Sequence, residues 1–335
     1  MRLRLVRERR ASPVPGCWHS QKRGCYRSGS PLRLAKTMRQ LFLVITLLAV
    51  AVLPAKPALA VSGRVQFEIG GQARSAIVVE PERFKRSPRT VVIVLHGANN
   101  GSARRIQNNL GLDDVVRSAG VVVVYPEAVN GRWNVTGEAG PDDTAFLRAL
   151  ADRLIASRIA DPRRIFLMGT STGGMLALRI ACSGADYIAG VGALIAAMPA
   201  KLAANCKPAP MAALLMNGTA NPLVPFGGGT AQLDNYKDDI VSAEASLMPF
   251  AQANQCKPQR QRQDLADRDR ADGSRVVVEY GVDCARPLEL VRVEGGGHTL
   301  PGRPARADRG QVVGAQNRDV NISRLIADFV RRAEK

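Results

Sequence analysis

Arg164-Ile165-Phe166-Leu167-Met168-Gly169-Thr170-Ser171-Thr172-Gly173 runs a strand-like segment straight into a glycine-bounded turn, and Met175-Leu176-Ala177-Leu178-Arg179-Ile180 continues at once as a helix. A G-x-S-x-G turn between strand and helix is the corner that holds a serine in a strained conformation with its hydroxyl exposed. Only small residues at Gly169 and Gly173 let strand and helix come so close. The corner also places Ser171 at a helix N-terminus, where backbone N–H groups such as that of Thr172 can stabilise an oxyanion. The competing reading is a glycine-rich turn without chemistry.

Outward from this corner, short β-branched runs alternate with helix-length amphipathic segments. That pattern predicts an α/β fold, a mainly parallel sheet of about eight strands with helices on both faces. The expected strands cover 64–69, 75–79, 90–95, 121–125, 164–168, 188–194, 211–216 and 288–293, and one more at 275–280 pairs with the strand before His298. The first two strands read as a hairpin, and each later one is followed by a crossover. Val91-Val92-Ile93-Val94-Leu95 and Val121-Val122-Val123-Val124 suit strands buried on both faces. Helices are expected at 103–118, 142–157, 172–182, 240–254 and 321–332, with 257–273 a polar surface excursion.

The chain carries a formal charge of +18, of which residues 1–60 supply +11. The rest is spread without a basic helix, and aromatics make up only 4% of the residues, too few for a base-stacking surface. Nucleic acid is therefore not an expected partner. Met38-Arg39-Gln40, the apolar run from Leu41 to Leu53 and the closing Ala58-Leu59-Ala60 have the layout of a secretory signal peptide. The expected organisation is a disordered leader or over-extended start at 1–37, a signal peptide at 38–60 and a single domain at 61–335, secreted or periplasmic, with no stable membrane anchor after cleavage. An uncleaved anchor is the alternative for the apolar run. Export leaves Cys182, Cys206, Cys256 and Cys284 in the mature part, enough for two disulfides in any of three pairings. Neighbours along the chain, Cys182 with Cys206 and Cys256 with Cys284, are the preferred pairing. No C-x-x-C occurs and only two histidines follow residue 60, so no metal site is expected.

Those two histidines narrow the chemistry. His96 ends a strand in Leu95-His96-Gly97, where the following loop, Gly97 and Ala98, is positioned to supply a second oxyanion N–H. His298 lies in Glu294-Gly295-Gly296-Gly297-His298-Thr299, after the last strand. Serine, then acid, then histidine is the chain order this corner uses, so the candidate base for Ser171 is His298 or none. A solvated loop histidine is the plain alternative. The acid should follow the strand at 211–216, in Asn217-Gly218-Thr219-Ala220-Asn221-Pro222-Leu223-Val224-Pro225-Phe226.

Taken with Gly131-Arg132-Trp133-Asn134 and Asp142-Asp143-Thr144-Ala145-Phe146, these motifs resemble the secreted α/β-hydrolase esterases of the polyhydroxybutyrate depolymerase, feruloyl esterase and acetylxylan esterase group, across about residues 63–300. The resemblance implies an α/β-hydrolase fold and ester hydrolysis through an acyl-serine intermediate, without metal or organic cofactor. It implies small esters or oligomeric polyester or polysaccharide esters as substrates, with Trp133 and Asn134 on the substrate side. For Trp133 a partly buried core indole is an equal reading. The chain departs from the group's H-G-T-x-D-x-x-V-P-Y pattern at Asn217, at Asn221 where the acid belongs and at Phe226, and has Leu300 where the group carries Trp. An Asn carbonyl can still accept from an imidazole N–H but lacks the charge that stabilises the imidazolium. Three outcomes stay open: a slow enzyme, recruitment of another carboxylate such as Asp234, or a catalytically silent relative that binds esters. A serine peptidase is a further alternative. Restoring the acid by Asn221→Asp is expected to raise turnover. Asp142 and Asp143 are read as helix caps.

Overall fold

The computed structural model describes residues 60–69, 71–81, 88–98, 101–138, 140–233, 236–302 and 313–334. The expected leader and signal peptide lie outside these, apart from Ala60. Ala60–Ile69 (β1) and Gln72–Pro81 (β2) form the expected antiparallel hairpin. Arg89–Leu95 (β3) is followed by Ala103–Leu110 (α1), Asp113–Ala119 (α2), Val122–Pro126 (β4) and Asp143–Ala156 (α3). Ala160–Thr170 (β5), Thr172–Cys182 (α4), Gly190–Leu194 (β6), the short Ala200–Ala203 (α5) and Ala212–Gly218 (β7) come next. Gly229–Leu233 (β8) and Tyr236–Ile240 (β9) pair as a small separate sheet before Ala243–Ala253 (α6). Lys257–Asp264 (β10), Arg275–Val282 (β11), Leu288–Glu294 (β12) and Ile322–Ala333 (α7) complete the described elements.

The main sheet runs β1-β2-β4-β3-β5-β6-β7-β12-β11-β10. Neighbours from β4 to β12 are parallel, and the hairpin at one end and β11 and β10 at the other are antiparallel. Side chains on a strand alternate between faces, and here each parity has its own core. Val91, Ile93 and Leu95 of β3 pack with Phe146 and Leu150 of α3, Leu176 and Ile180 of α4, and Phe250 of α6. Val92 and Val94 pack on the other side with Ile106 and Leu110 of α1, Val116 of α2, and Ile326 and Phe329 of α7. The continuous apolar runs are thus strands covered on both faces.

Three expectations need correction. The helix expected over 103–118 is two helices, because Gly111 takes a left-handed φ of 60° and caps α1 through its N–H to the Gln107 carbonyl. The helix expected from Ile240 starts after Ser242, whose hydroxyl accepts from the Ala245 N–H at 3.0 Å, while Ile240 itself ends β9. The polar stretch at 257–273 contains β10, which together with the strand expected at 275–280 brings the main sheet from about eight strands to ten. The pairing of β11 with β12 is the one expected, and β10 adds to it as a third antiparallel strand, so no crossover helix separates these three.

Both disulfides follow the neighbour pairing, Cys182–Cys206 and Cys256–Cys284, with separations of 24 and 28 residues. Loops of that length correspond to about 3–4 kcal/mol each on the chain-entropy account. A Cys256→Ser/Cys284→Ser variant is expected to lose about that much stability, a drop in Tm on the order of 10 °C by calorimetry.

Candidate active site

The corner at Ser171 is built by close backbone approach. A Cβ on Gly169 would stand 2.2 Å from the Gly173 carbonyl carbon, and one on Gly173 would stand 2.3 Å from the His96 carbonyl oxygen. Ser171 sits at φ 53°, ψ −123°, a conformation a non-glycine residue holds only when its surroundings over-determine it. Here its N–H donates to the Leu194 carbonyl of β6 at 2.9 Å, and α4 starts at the next residue. Thr172 lies in the first turn of α4, where N–H groups have no partner within the helix. The loop after β3 passes directly beside the serine, since a Cβ on Gly97 would meet Ser171 Cβ at 3.2 Å.

His298 arrives from the far side of the parallel strands. Gly218, at the end of β7, is so close to the glycine loop that a Cβ there would meet the Gly296 carbonyl oxygen at 2.2 Å. Ala220 donates to that same carbonyl at 3.0 Å, and the Gly295 N–H donates to Thr219 Oγ1 at 2.9 Å. The Gly297 N–H donates to the Ala315 carbonyl at 2.7 Å, which holds the loop from its other side. The result sets His298 Nε2 3.1 Å from Ser171 Oγ. Burial pushes the His298 imidazole down to about 4.

Asn221 is buried and adjoins the other ring nitrogen, its Nδ2 donating to His298 Nδ1 at 3.1 Å. Its carbonyl oxygen already accepts the N–H groups of Leu223 and Val224, each at 3.0 Å. The expectation that this carbonyl receives the imidazole N–H is therefore corrected: the amide presents its NH2. The same Nδ2 donates to Asn217 Oδ1 at 2.7 Å. Asn217 in turn accepts the Gly218 N–H at 2.9 Å and donates to the Val224 carbonyl at 3.0 Å. Asp234, the substitute acid considered above, lies outside the described residues.

The two residues expected on the substrate side are engaged elsewhere. Trp133 is a buried indole, not an open wall; its Nε1 donates to the His96 carbonyl at 2.8 Å and its ring lies 4.9 Å from the imidazole. The Asn134 side chain donates to the Pro141 carbonyl at 3.2 Å and accepts the Gly137 N–H at 2.8 Å, within its own loop. His96 is buried, and burial lowers its pKa. Its Nε2 accepts the Ala128 N–H at 3.2 Å, so Nδ1 carries the proton and donates to the Gly97 carbonyl at 2.9 Å. Its ring thus shapes the loop beside Ser171.

Asp142 caps α3 as expected, accepting from Ala145 N–H at 2.9 Å, but Asp143 does not. Asp143 pairs with buried Arg74 at 2.6 Å and accepts the Asn134 N–H at 2.7 Å. Arg74 was not legible as part of this support, because nothing in a strand's alternation marks one arginine as inward-facing.

Three comparisons agree with this architecture. The chain is 32% identical over 266 residues to a protein of Nocardia uniformis subsp. tsuyamanensis described as "Putative esterase NocK", covering 72% of this chain and 74% of that one. It is 24% identical over 192 residues to feruloyl esterase B of Piromyces equi, spanning 55% of this chain but about a third, 36%, of that protein's length. Among solved structures, a dienelactone hydrolase-like promiscuous phosphotriesterase from metagenomic libraries superposes with a TM-score of 0.52 at 15% identity, over 82% of this chain and 98% of that one, a likeness of fold. No family model matches the chain. With 74% of the nocardial protein's length matched at 32% identity, on a ten-stranded α/β sheet, the chain belongs to the α/β-hydrolase esterases, a family of carboxylic-ester hydrolases.

Proposed function

We propose that the chain is an exported esterase that cleaves carboxylic esters through an acyl-serine intermediate. The observation that carries this is Ser171 Oγ at 3.1 Å from His298 Nε2, on a corner strained to φ 53°. Ser171 Oγ attacks the ester carbonyl while its proton passes to His298. The oxyanion is met by N–H groups of Thr172 and of the loop at Gly97 and Ala98. His298 then returns the proton to the departing alcohol, and water hydrolyses the acyl-serine by the same route. Small aryl or acetyl esters and oligomeric polysaccharide or polyester esters are the substrate class; the feruloyl esterase relative supports the aryl side. Export through the segment at 38–60 is supported by the two disulfides, which persist in oxidising compartments.

A second reading, a relative that binds esters without cleaving them, is favoured by one observation, the NH2 that Asn221 turns toward His298. Hydrolysis of p-nitrophenyl acetate and butyrate by the native chain beside Ser171→Ala decides between them. Serine-dependent turnover supports the esterase, and rates equal to the variant's support the binder. The acid limb of kcat/KM is a further expectation. A base must be neutral to accept the serine proton, and the His298 imidazole stays neutral down to about 4. The profile is therefore expected to be flat from neutrality to about pH 5 and to fall by half near pH 4, whereas a limb near the ordinary histidine value of about 6.5 counts against His298 as an uncompensated base.

A further inference from the structure

We propose that Asn217 is a positioning residue that locks the Asn221 amide with its NH2 toward His298, so that the imidazole rests as the Nε2–H tautomer with Ser171 as its acceptor. The proposal rests on the assignment of Ser171 and His298 as the reacting pair. Its support is a set of hydrogen bonds in which every donor and acceptor has one consistent assignment. Asn221 Oδ1 faces two backbone N–H groups, those of Leu223 and Val224, and a nitrogen in its place would oppose donor to donor twice. Asn217 is fixed the same way, with its oxygen on the Gly218 N–H and its nitrogen on the Val224 carbonyl. Its oxygen is then left to take one proton of the Asn221 amide at 2.7 Å, and the other proton points to His298 Nδ1 at 3.1 Å. Both asparagines are fully buried or nearly so, so water does not compete for these positions. Nδ1 must accept, so the ring proton sits on Nε2 and donates to Ser171 Oγ.

That is the reverse of what serine activation needs, because the lone pair that should take the hydroxyl proton carries a proton of its own. It also changes what restoring the acid does. Asn221→Asp on its own would place a carboxylate oxygen at the position that now lies 2.7 Å from Asn217 Oδ1, acceptor against acceptor. The two positions form one unit, and the rise expected from the single change needs a donor at 217 as well. A serine there can accept the Gly218 N–H and donate its own proton to the carboxylate.

The test has two parts, both on the full chain. Long-range proton–nitrogen NMR of the histidine rings reads the tautomer directly, with His298→Ala for assignment. His96 is the internal contrast, since its Nε2 accepts the Ala128 N–H. The expected result is a proton on Nε2 in His298 and on Nδ1 in His96; a proton on Nδ1 of His298 overturns the proposal. In the second part, serine-dependent hydrolysis of p-nitrophenyl acetate is compared across a cycle. Asn221→Asp is expected to change kcat less than about tenfold and Asn217→Ser/Asn221→Asp to raise it by about 10²–10⁴, the upper figure being the known cost of the asparagine in a serine triad. Asn217→His/Asn221→Asp serves as the donor variant should the serine pair fail to fold. A full rise from Asn221→Asp alone, or donor variants no better than it, overturns the coupling. If the tautomer is as stated but no variant shows serine-dependent turnover, the positioning stands and the esterase reading fails.

Discussion

Ser171→Ala and His298→Ala are each expected to lower kcat for p-nitrophenyl acetate by about a hundredfold, and the double variant by no more than either alone. The size follows from two known costs. An intact serine triad contributes about 10⁶ to kcat, and its members act as a unit, so removing one is nearly as harmful as removing all. Replacing the acid by its amide forfeits about 10⁴ of that. Roughly 10² remains for serine and imidazole to provide. Initial rates at saturating ester, with a fluorophosphonate titration of reactive serine, measure it. A Ser171→Ala variant at the native rate ends the acyl-serine mechanism. A loss near 10⁶ would show that a carboxylate supports His298 after all.

Asp143→Ala is expected to destabilise the protein by about 3–5 kcal/mol, the usual cost of stranding one member of a buried ion pair. Arg74 would be left as an uncompensated charge in the core, stacked 3.8 Å over the Phe146 ring. In a domain of this size that corresponds to a Tm lower by roughly 6–20 °C. The same change frees the Asn134 N–H and loosens the loop on which Trp133 stands. Because the Trp133 indole holds the His96 carbonyl, activity well below the melting range should fall too, whereas a drop in Tm with unchanged kcat would separate the ion pair from the site. Melting curves and initial rates on one preparation give both readings.

The corner at Ser171 was legible because its two glycines answer a local steric need that shows in sequence, and both buried strand runs were legible because two covered faces leave no polar position. His298 followed from scarcity. The break at Gly111 was there to be read: the apolar residues Ala103, Ile106 and Leu110 of α1 and Val115 and Val116 of α2 do not share one helical phase across it, and the glycine sits where the phase changes. Strand β10 escaped because an edge strand with both faces wet, such as Lys257-Pro258-Gln259-Arg260-Gln261-Arg262-Gln263-Asp264, has no alternation to read. The substitution at Asn221 was visible, but not the direction its amide faces. That direction is set by two backbone N–H groups and by Asn217, and no residue type encodes it in isolation.

The charged outer strand β10 has a consequence for the protein at high concentration. A ten-stranded sheet that ends in an open row of amide and carbonyl groups invites another molecule to add a strand. Here that row belongs to a segment bearing Lys257, Arg260 and Arg262, with a proline at its second position and a register shift between Lys257 and Arg260. Lys257, Arg260 and Arg262 are each paired with a carboxylate, of Asp283, Glu279 and Asp264, so a second edge would have to displace these charged side chains; Pro258 offers no N–H to pair, and the irregularity bends the row out of line. The charged, wet composition that concealed β10 in the sequence is the kind that guards an outer strand against edge-to-edge pairing.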